Sequence, residues 1–180
     1  MELRPLLPRH HEVTVKGLIR DAFSGFPWYE TLDDVELERR WRSYVSRPGF
    51  TGLLACEEGH SAVGACWWDE TSADSIRLER GDELADFAIG RLPDKGRHII
   101  WERDILVRVS DQRKGYGRQL RTGFLDRITT DGAMAVLTRM RDDNLPTLKL
   151  AESLGFEPTG ISEPCPVKPG ARHQFWYWTP

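Results

Sequence analysis

The chain reads as one mixed α/β layer domain, residues 1–180. Its core would be a mixed central sheet of about six to seven strands, flanked by about four to five helices. Three observations lead there. Near the N-terminus, Val15, Leu18, Ile19, Ala22 and Phe23 recur at helical spacing. The period then shortens to that of strands at TGLLAC (51–56) and AVGACWW (62–68). From residue 99 onward, strand-like and helix-like segments alternate. A chain of 180 residues suits one compact domain and little more.

Taken in order, residues 1–5 suggest a short strand, and the first helix runs from Pro8 to about Phe26. Thr31-Leu32-Asp33-Asp34 resembles a capping box opening a second helix, with Leu37, Trp41, Tyr44 and Val45 as its buried stripe. Phe26-Pro27-Trp28-Tyr29 is an aromatic connector between the two. Glu57-Glu58-Gly59-His60 suits a hairpin turn joining strands 51–56 and 62–68. Residues 69–97 are polar, with one helical patch at Leu84, Phe87, Ala88 and Leu92. Ile99 to Val109 is the longest strand candidate. A helix over 115–130 follows, then a strand at 133–140 and a helix from Asn144 and Pro146 to Leu154, which Gly155 terminates. FEPTGI (156–161) and HQFWYW (173–178) read as closing strands. The order is β-α-α-β-β-insert-β-α-β-α-β-β.

Composition narrows the function. A formal net charge of −3 gives no general basic field for nucleic acid. No apolar run approaches the roughly 18 residues of a membrane span, and MELRPLLPRHHEV lacks the apolar core of a signal peptide, so a cytoplasmic location is expected. Cys56, Cys66 and Cys165 are odd in number and not at metal-ligand spacing; reduced thiols and no metal site are expected.

Chemistry concentrates at Gln112-Arg113-Lys114-Gly115-Tyr116-Gly117, between the long strand and the helix of Leu120, Phe124 and Ile128. A glycine-bearing turn that opens a helix leaves backbone N–H groups without intrahelical partners. Together with the positive end of the helix dipole they suit a phosphate. Arg108, Arg113, Lys114, Arg118 and Arg121 surround it, and fit either a solvated helix face or anion attraction. A nucleotide P-loop does not fit, because no Gly-Lys-Ser/Thr is present here, and a dinucleotide fingerprint lacks its third glycine.

The element order and QRKGYG together resemble the GNAT superfamily of N-acetyltransferases. The family loop is Q/R-x-x-G-x-G/A after the fourth strand, and Gln112, Gly115 and Gly117 fill its fixed places. A later family pattern, an Asn, a helix and Leu-Gly-Phe entering a strand, is matched by Asn144 and Leu154-Gly155-Phe156. The resemblance implies acetyl-CoA as acetyl donor, with its pyrophosphate on the N–H groups of residues 112–117, Arg113, Lys114 and Arg118 adding charge, and Tyr116 and Asn144 within the cofactor site. It also implies that Leu106-Val107 pairs with the pantetheine arm and offers a backbone N–H to the oxyanion. In the family the amine attacks the thioester directly, in a ternary complex. Many members place a tyrosine, the proton donor to the thiolate, where this chain has Ala151.

For the base, alternation sets Glu102 and Asp104 on one face of the long strand, with Ile100, Leu106 and Arg108. Glu102 or Asp104 could take the amine's proton, hold a cationic substrate, or form an ion pair with Arg103, Arg108 or a neighbouring strand. Trp28, Tyr29 and Trp101 are the aromatic candidates for the acceptor side, with core packing as the alternative for each. Segment 69–97 is longer than the family's usual connection, and is expected to be a substrate lid or part of a homodimer contact. The function expected is N-acetyl transfer from acetyl-CoA to a small-molecule amine. The alternatives are a peptide or protein acceptor, and a catalytically silent acyl-CoA-binding or regulatory module.

Overall fold

The computed structural model describes residues 1–57, 62–132 and 135–180. It contains a seven-stranded sheet in the order β1-β2-β3-β4-β5-β7-β6. The strands are β1 (Glu2–Pro5), β2 (Thr51–Cys56), β3 (Ala62–Thr71), β4 (Ile99–Val107), β5 (Val136–Arg141), β6 (Glu157–Pro164) and β7 (Arg172–Trp178). Pairs β1–β2, β2–β3, β5–β7 and β6–β7 are antiparallel, and β4–β5 is parallel. The expected hairpin turn lies outside the described residues from residue 58 on, as do positions 133 and 134 of the strand expected at 133–140. The chain divides into two units: Met1–Asp69 with Arg103–Arg127, and Glu70–Glu102 with Ile128–Pro180.

In the first unit, α1 (Pro8–Ser24) opens on a proline, where a missing N–H costs nothing. Its buried stripe is Val15, Leu18, Ile19, Ala22 and Phe23. Helix α2 (Asp34–Val45) is capped by Asp33, whose carboxylate accepts the Glu36 N–H at 2.8 Å. The cap expected at Thr31 is therefore two residues further on, at Asp33, and such a cap contributes about 1 kcal/mol. Both helices share one apolar cluster with Leu54, Ala65, Trp67 and Leu106. Tyr44 tilts on Trp67 with ring centroids 5.1 Å apart, and Trp41 meets Phe50 edge-on at 5.9 Å. On the other side of β3, α5 (Tyr116–Thr130) buries Leu120 and Phe124, and Phe124 lies 4.8 Å from Trp68.

The simple alternation expected along 99–109 does not hold. Leu106 belongs to the α1–α2 cluster, on the side of Ala65 and Trp67. Arg103 reaches Asp69, two residues beyond Trp67 and so on that same side of β3. Residues three apart share a side only where an extra residue interrupts the strand. Strand β4 thus carries an irregularity between Arg103 and Leu106, a feature with no signature in residue type.

In the second unit, segment 69–97 forms two helices, α3 (Ala73–Arg80) and α4 (Asp82–Arg91), where one helical patch was expected. Ser72 caps α3 by accepting the Ser75 N–H at 3.3 Å. Short and charge-rich, α3 offers only Ala73 and Ile76 to the interior, too few for a periodic signal. With α6 (Leu145–Ser153), six α-helices are found among the described residues, against the four to five expected. Ala73, Ile76, Leu84, Ala85, Ala88 and Leu92 pack with Ile99, Trp101, Ala135, Leu137 and Phe175, so the insertion is core rather than an added loop.

Candidate active site

Strand β4 ends at Val107 and passes through a tight turn at Val109–Asp111 into the glycine run. Asp21 of α1 holds the turn by accepting the Val109 N–H at 2.6 Å. A Cβ at Gly25, which follows α1, would stand 2.8 Å from Val109 Cγ2, so the valine side chain would have to turn aside. The Arg108 N–H donates to the Val63 carbonyl at 2.9 Å, so Arg108 turns its main chain toward β3. Alternation then turns the Val107 N–H away from β3. The Val107 carbonyl is engaged by the Gln112 side-chain amide at 3.3 Å, which ties the loop to the strand end.

The loop itself bends through two left-handed residues, Arg113 at φ 64° and Gly115 at φ 90°. A residue with a Cβ is strained at such angles, and here glycine fills one of the two places. Helix α5 begins at Tyr116, and the Gln119 N–H makes an intrahelical bond to the Gly115 carbonyl at 3.1 Å. The N–H groups of Tyr116, Gly117 and Arg118 precede that ladder, as the first turn of any α-helix requires. No acid lies in this first turn. Arg113, Lys114 and Arg118 are all exposed. Lys114 bonds Asp111 at 2.6 Å; its ammonium holds that carboxyl below the usual range and is itself raised by the pair. Tyr116 donates its hydroxyl to Glu57, which pushes the phenol above its ordinary value. Glu57, Asp111 and Asp21 therefore shape the loop, and none was singled out from sequence, because their partners lie up to 88 residues away.

Glu102 is 1% exposed, in the stretch Ile100–Glu102 that pairs with Val136–Thr138 of β5. Asp104 is half-buried two residues on. Arg103 between them is committed elsewhere. It grips Asp69 through both nitrogens, the second bond measuring 2.8 Å, with side chains 6% and 1% exposed. Asp69 is thus a partner of Arg103. Nothing in the sequence pattern singled out Asp69.

Asn144 precedes α6, and its side chain makes no capping bond to that helix. Its carbonyl accepts from the Thr147 and Leu148 N–H groups at 3.0 and 3.1 Å. Ala151 is fully buried on α6. Of the aromatic candidates, Trp28 is half-buried against Phe23 at 5.0 Å, and Tyr29 is 71% exposed at φ 52°. Trp101 is buried, meets Phe175 edge-on at 6.1 Å, and carries the Arg80 guanidinium over its ring at 5.8 Å. Among the described residues no group of His, Cys, Asp and Glu is placed to hold a metal ion. No helix there is long and apolar enough to cross a membrane. All three cysteines are free and buried.

An open mixed sheet whose fourth strand runs through a glycine loop onto a helix N-terminus is the arrangement of an α/β domain, and the sequence places it in a family. The family model described as acetyltransferase (GNAT) family matches residues 17–156, and the chain belongs to that family. Solved structures share the fold. A ribosomal-protein-alanine N-acetyltransferase from Brucella melitensis has a TM-score of 0.70 at 18% identity, covering 100% of both chains. YncA of Salmonella typhimurium, solved with its cofactor acetyl-CoA, has a TM-score of 0.67 at 17% identity, covering 99% of this chain and 92% of its own. The spermidine N-acetyltransferase SpeG of Vibrio cholerae, a point mutant, has a TM-score of 0.64 at 14% identity, covering 99% and 95%. At these identities the likeness concerns the fold alone. No curated protein is significantly similar in sequence.

Proposed function

We propose that residues 1–180 act as one N-acetyltransferase domain that moves the acetyl group of acetyl-CoA to the primary amine of a small molecule. The observation that carries this reading is the left-handed bend at Arg113 and Gly115, which leads into the α5 N-terminus with its three leading N–H groups. That surface suits a pyrophosphate through backbone donors, helix dipole and the charges of Arg113, Lys114 and Arg118. Gln112, Gly115, Tyr116 and Gly117 shape it, Leu106 and Val107 run alongside the pantetheine arm, and Asn144 completes the cofactor residues.

Acetyl-CoA supplies an activated thioester carbonyl. The Val107 N–H would donate to the carbonyl oxygen as it gains charge. Glu102 would take the proton that the amine must shed, directly or through water, with Asp104 as its companion on the strand. A C–N bond forms, the C–S bond breaks, and the thiolate leaves, to be protonated by water. A thiol with a pKa near 8.5 leaves well enough at neutral pH without a dedicated acid. Trp28 and Tyr29 would meet the acceptor, with Trp101 backing the second unit's side of the strand. The measurement is thiol release from acetyl-CoA with polyamines, aminoglycosides, amino acids and peptides. Turnover with any small amine supports the reading; acetyl-CoA that fails to bind overturns it.

A second reading, a silent acyl-CoA-binding module, is favoured by Ala151. The position where many relatives carry a tyrosine is closed by packing as well as lacking a hydroxyl. Tight acetyl-CoA binding with no turnover on any amine would decide for it.

A further inference from the structure

Two acids stand around the start of α5, and neither belongs to that helix. The first turn of α5 carries no acidic residue, so the positive end of its dipole meets no charge of its own. Asp111 precedes the glycine loop, and Glu57 directly follows β2. Asp111 Oδ1 accepts from the Lys114 ammonium at 2.6 Å, across the left-handed Arg113. Glu57 accepts from the hydroxyl of Tyr116, the residue after the left-handed Gly115. Lys114 is raised by its bond to Asp111 first, and the charge of Glu57 adds to it. The ammonium thus lies in the field of two carboxylates before any ligand arrives.

The two partners of the ion pair differ in access. The Asp111 side chain is 12% exposed and that of Lys114 is 52% exposed. Asp111 is fixed in place: its N–H donates to the Arg108 carbonyl at 2.8 Å, and the Ser110 hydroxyl donates to Oδ2 at 3.3 Å. Lys114 instead rides on a flexible four-carbon stem and can exchange one anion for another. Its bond holds the Asp111 carboxyl below the usual range, so that carboxyl is ionised at neutral pH. A phosphate arriving at the loop meets a lysine whose charge is already matched, and a fixed negative charge behind it.

We infer that Asp111 is a built-in counter-anion of the cofactor loop, with Glu57 in support. It competes with the cofactor's phosphates for Lys114 and keeps their binding moderate, so that spent CoA leaves readily. Competition for Lys114 rests on the loop alone; naming the ligand acetyl-CoA rests on the acetyl-transfer reading above. On binding, the ammonium turns from Asp111 to a phosphate oxygen, and no covalent bond changes. Asp111 is a positioning residue here, acting through Lys114. A brace that merely held the loop in shape would have the opposite sign on substitution.

The test uses the full-length protein and calorimetry, with acetyl-CoA, S-acetylpantetheine and inorganic pyrophosphate as probes. Asp111→Asn keeps an oxygen for Lys114 and removes only the charge. It should tighten acetyl-CoA and pyrophosphate about fivefold at low salt and by less at high salt. S-acetylpantetheine, which carries no phosphate, should be unaffected. Dissociation of CoA in stopped flow should slow by about the same factor. In a Lys114→Gln background the same change should shift affinity by at most about twofold. Weaker acetyl-CoA binding in Asp111→Asn, or an equal effect on S-acetylpantetheine, would overturn the counter-anion. Tighter pyrophosphate in a protein that does not bind acetyl-CoA would leave the counter-anion standing and sink the cofactor reading. Acetyl-CoA binding that Asp111→Asn leaves unaltered would do the reverse.

Discussion

In the proposed mechanism two residues separate chemistry from binding. Glu102 is a carboxyl almost wholly out of solvent on the central strand, whereas Gly117 sits in the first turn of α5, where the proposed pyrophosphate would meet any side chain. Glu102→Gln should lower turnover about a hundredfold or more and leave CoA affinity nearly intact. Gly117→Leu should do the opposite at first order, weakening CoA at least tenfold by calorimetry. Equal loss of both quantities in either variant would mean that the two roles had been misassigned. Asp69 and Arg103 make a different kind of claim. Their pair is almost wholly out of solvent, and removing Asp69 takes from the buried Arg103 guanidinium the carboxylate that holds two of its nitrogens. Asp69→Ala should cost about 3–5 kcal/mol in urea unfolding, while losing the exposed pair Arg4–Glu2 should leave the urea midpoint nearly unchanged.

Among the elements, the insertion carries a prediction against its own polarity. Leu84 of α4 is 1% exposed within the second unit's cluster. Leu84→Ala should destabilise by about 2–5 kcal/mol, whereas changes at Leu78, which projects from α3 into solvent, should be nearly neutral. An indifferent Leu84 would mean that α4 is an appendage. Most elements were legible because their apolar residues keep one period. β2 starts and ends where TGLLAC does, and α6 ends at Ser153, with Leu154 as its C-cap and Gly155 following at φ 84°. What escaped has physical reasons. α3 presents too few apolar residues, and either Thr31 or Asp33 satisfies a capping pattern until the Glu36 N–H chooses between them. The loop Gln112–Gly117 was readable because its glycines announce a turn. The left-handed Arg113, the Asp21 clamp and the buried Asp69 were not, since each depends on a distant neighbour.

At the scale of the whole molecule, pH reports on how the second unit holds His173. Its folded pKa of about 4 lies below the ordinary 6.5. Between those values the unfolded chain binds a proton that the folded chain refuses. Stability should be full above about pH 6.5 and fall as pH drops toward about 4, and His173→Gln should flatten that slope. Arg80, Arg139, Arg141 and Glu163 all act on this imidazole, so Arg139→Gln should flatten it in part. Urea midpoints across that range are the measurement, and a slope unchanged by His173→Gln would assign the effect to other groups. The interrupted alternation of β4 has a consequence of its own. Point substitutions along the strand alter one side chain each, whereas a change of length there acts on the irregularity. Losing one residue between Arg103 and Leu106 would leave the two residues two apart, a spacing that shares a side in a regular strand, so Leu106 would keep its place in the α1–α2 cluster and the irregularity itself would be lost. Descendants of this chain could therefore shorten that stretch by one residue and keep the core contact of Leu106.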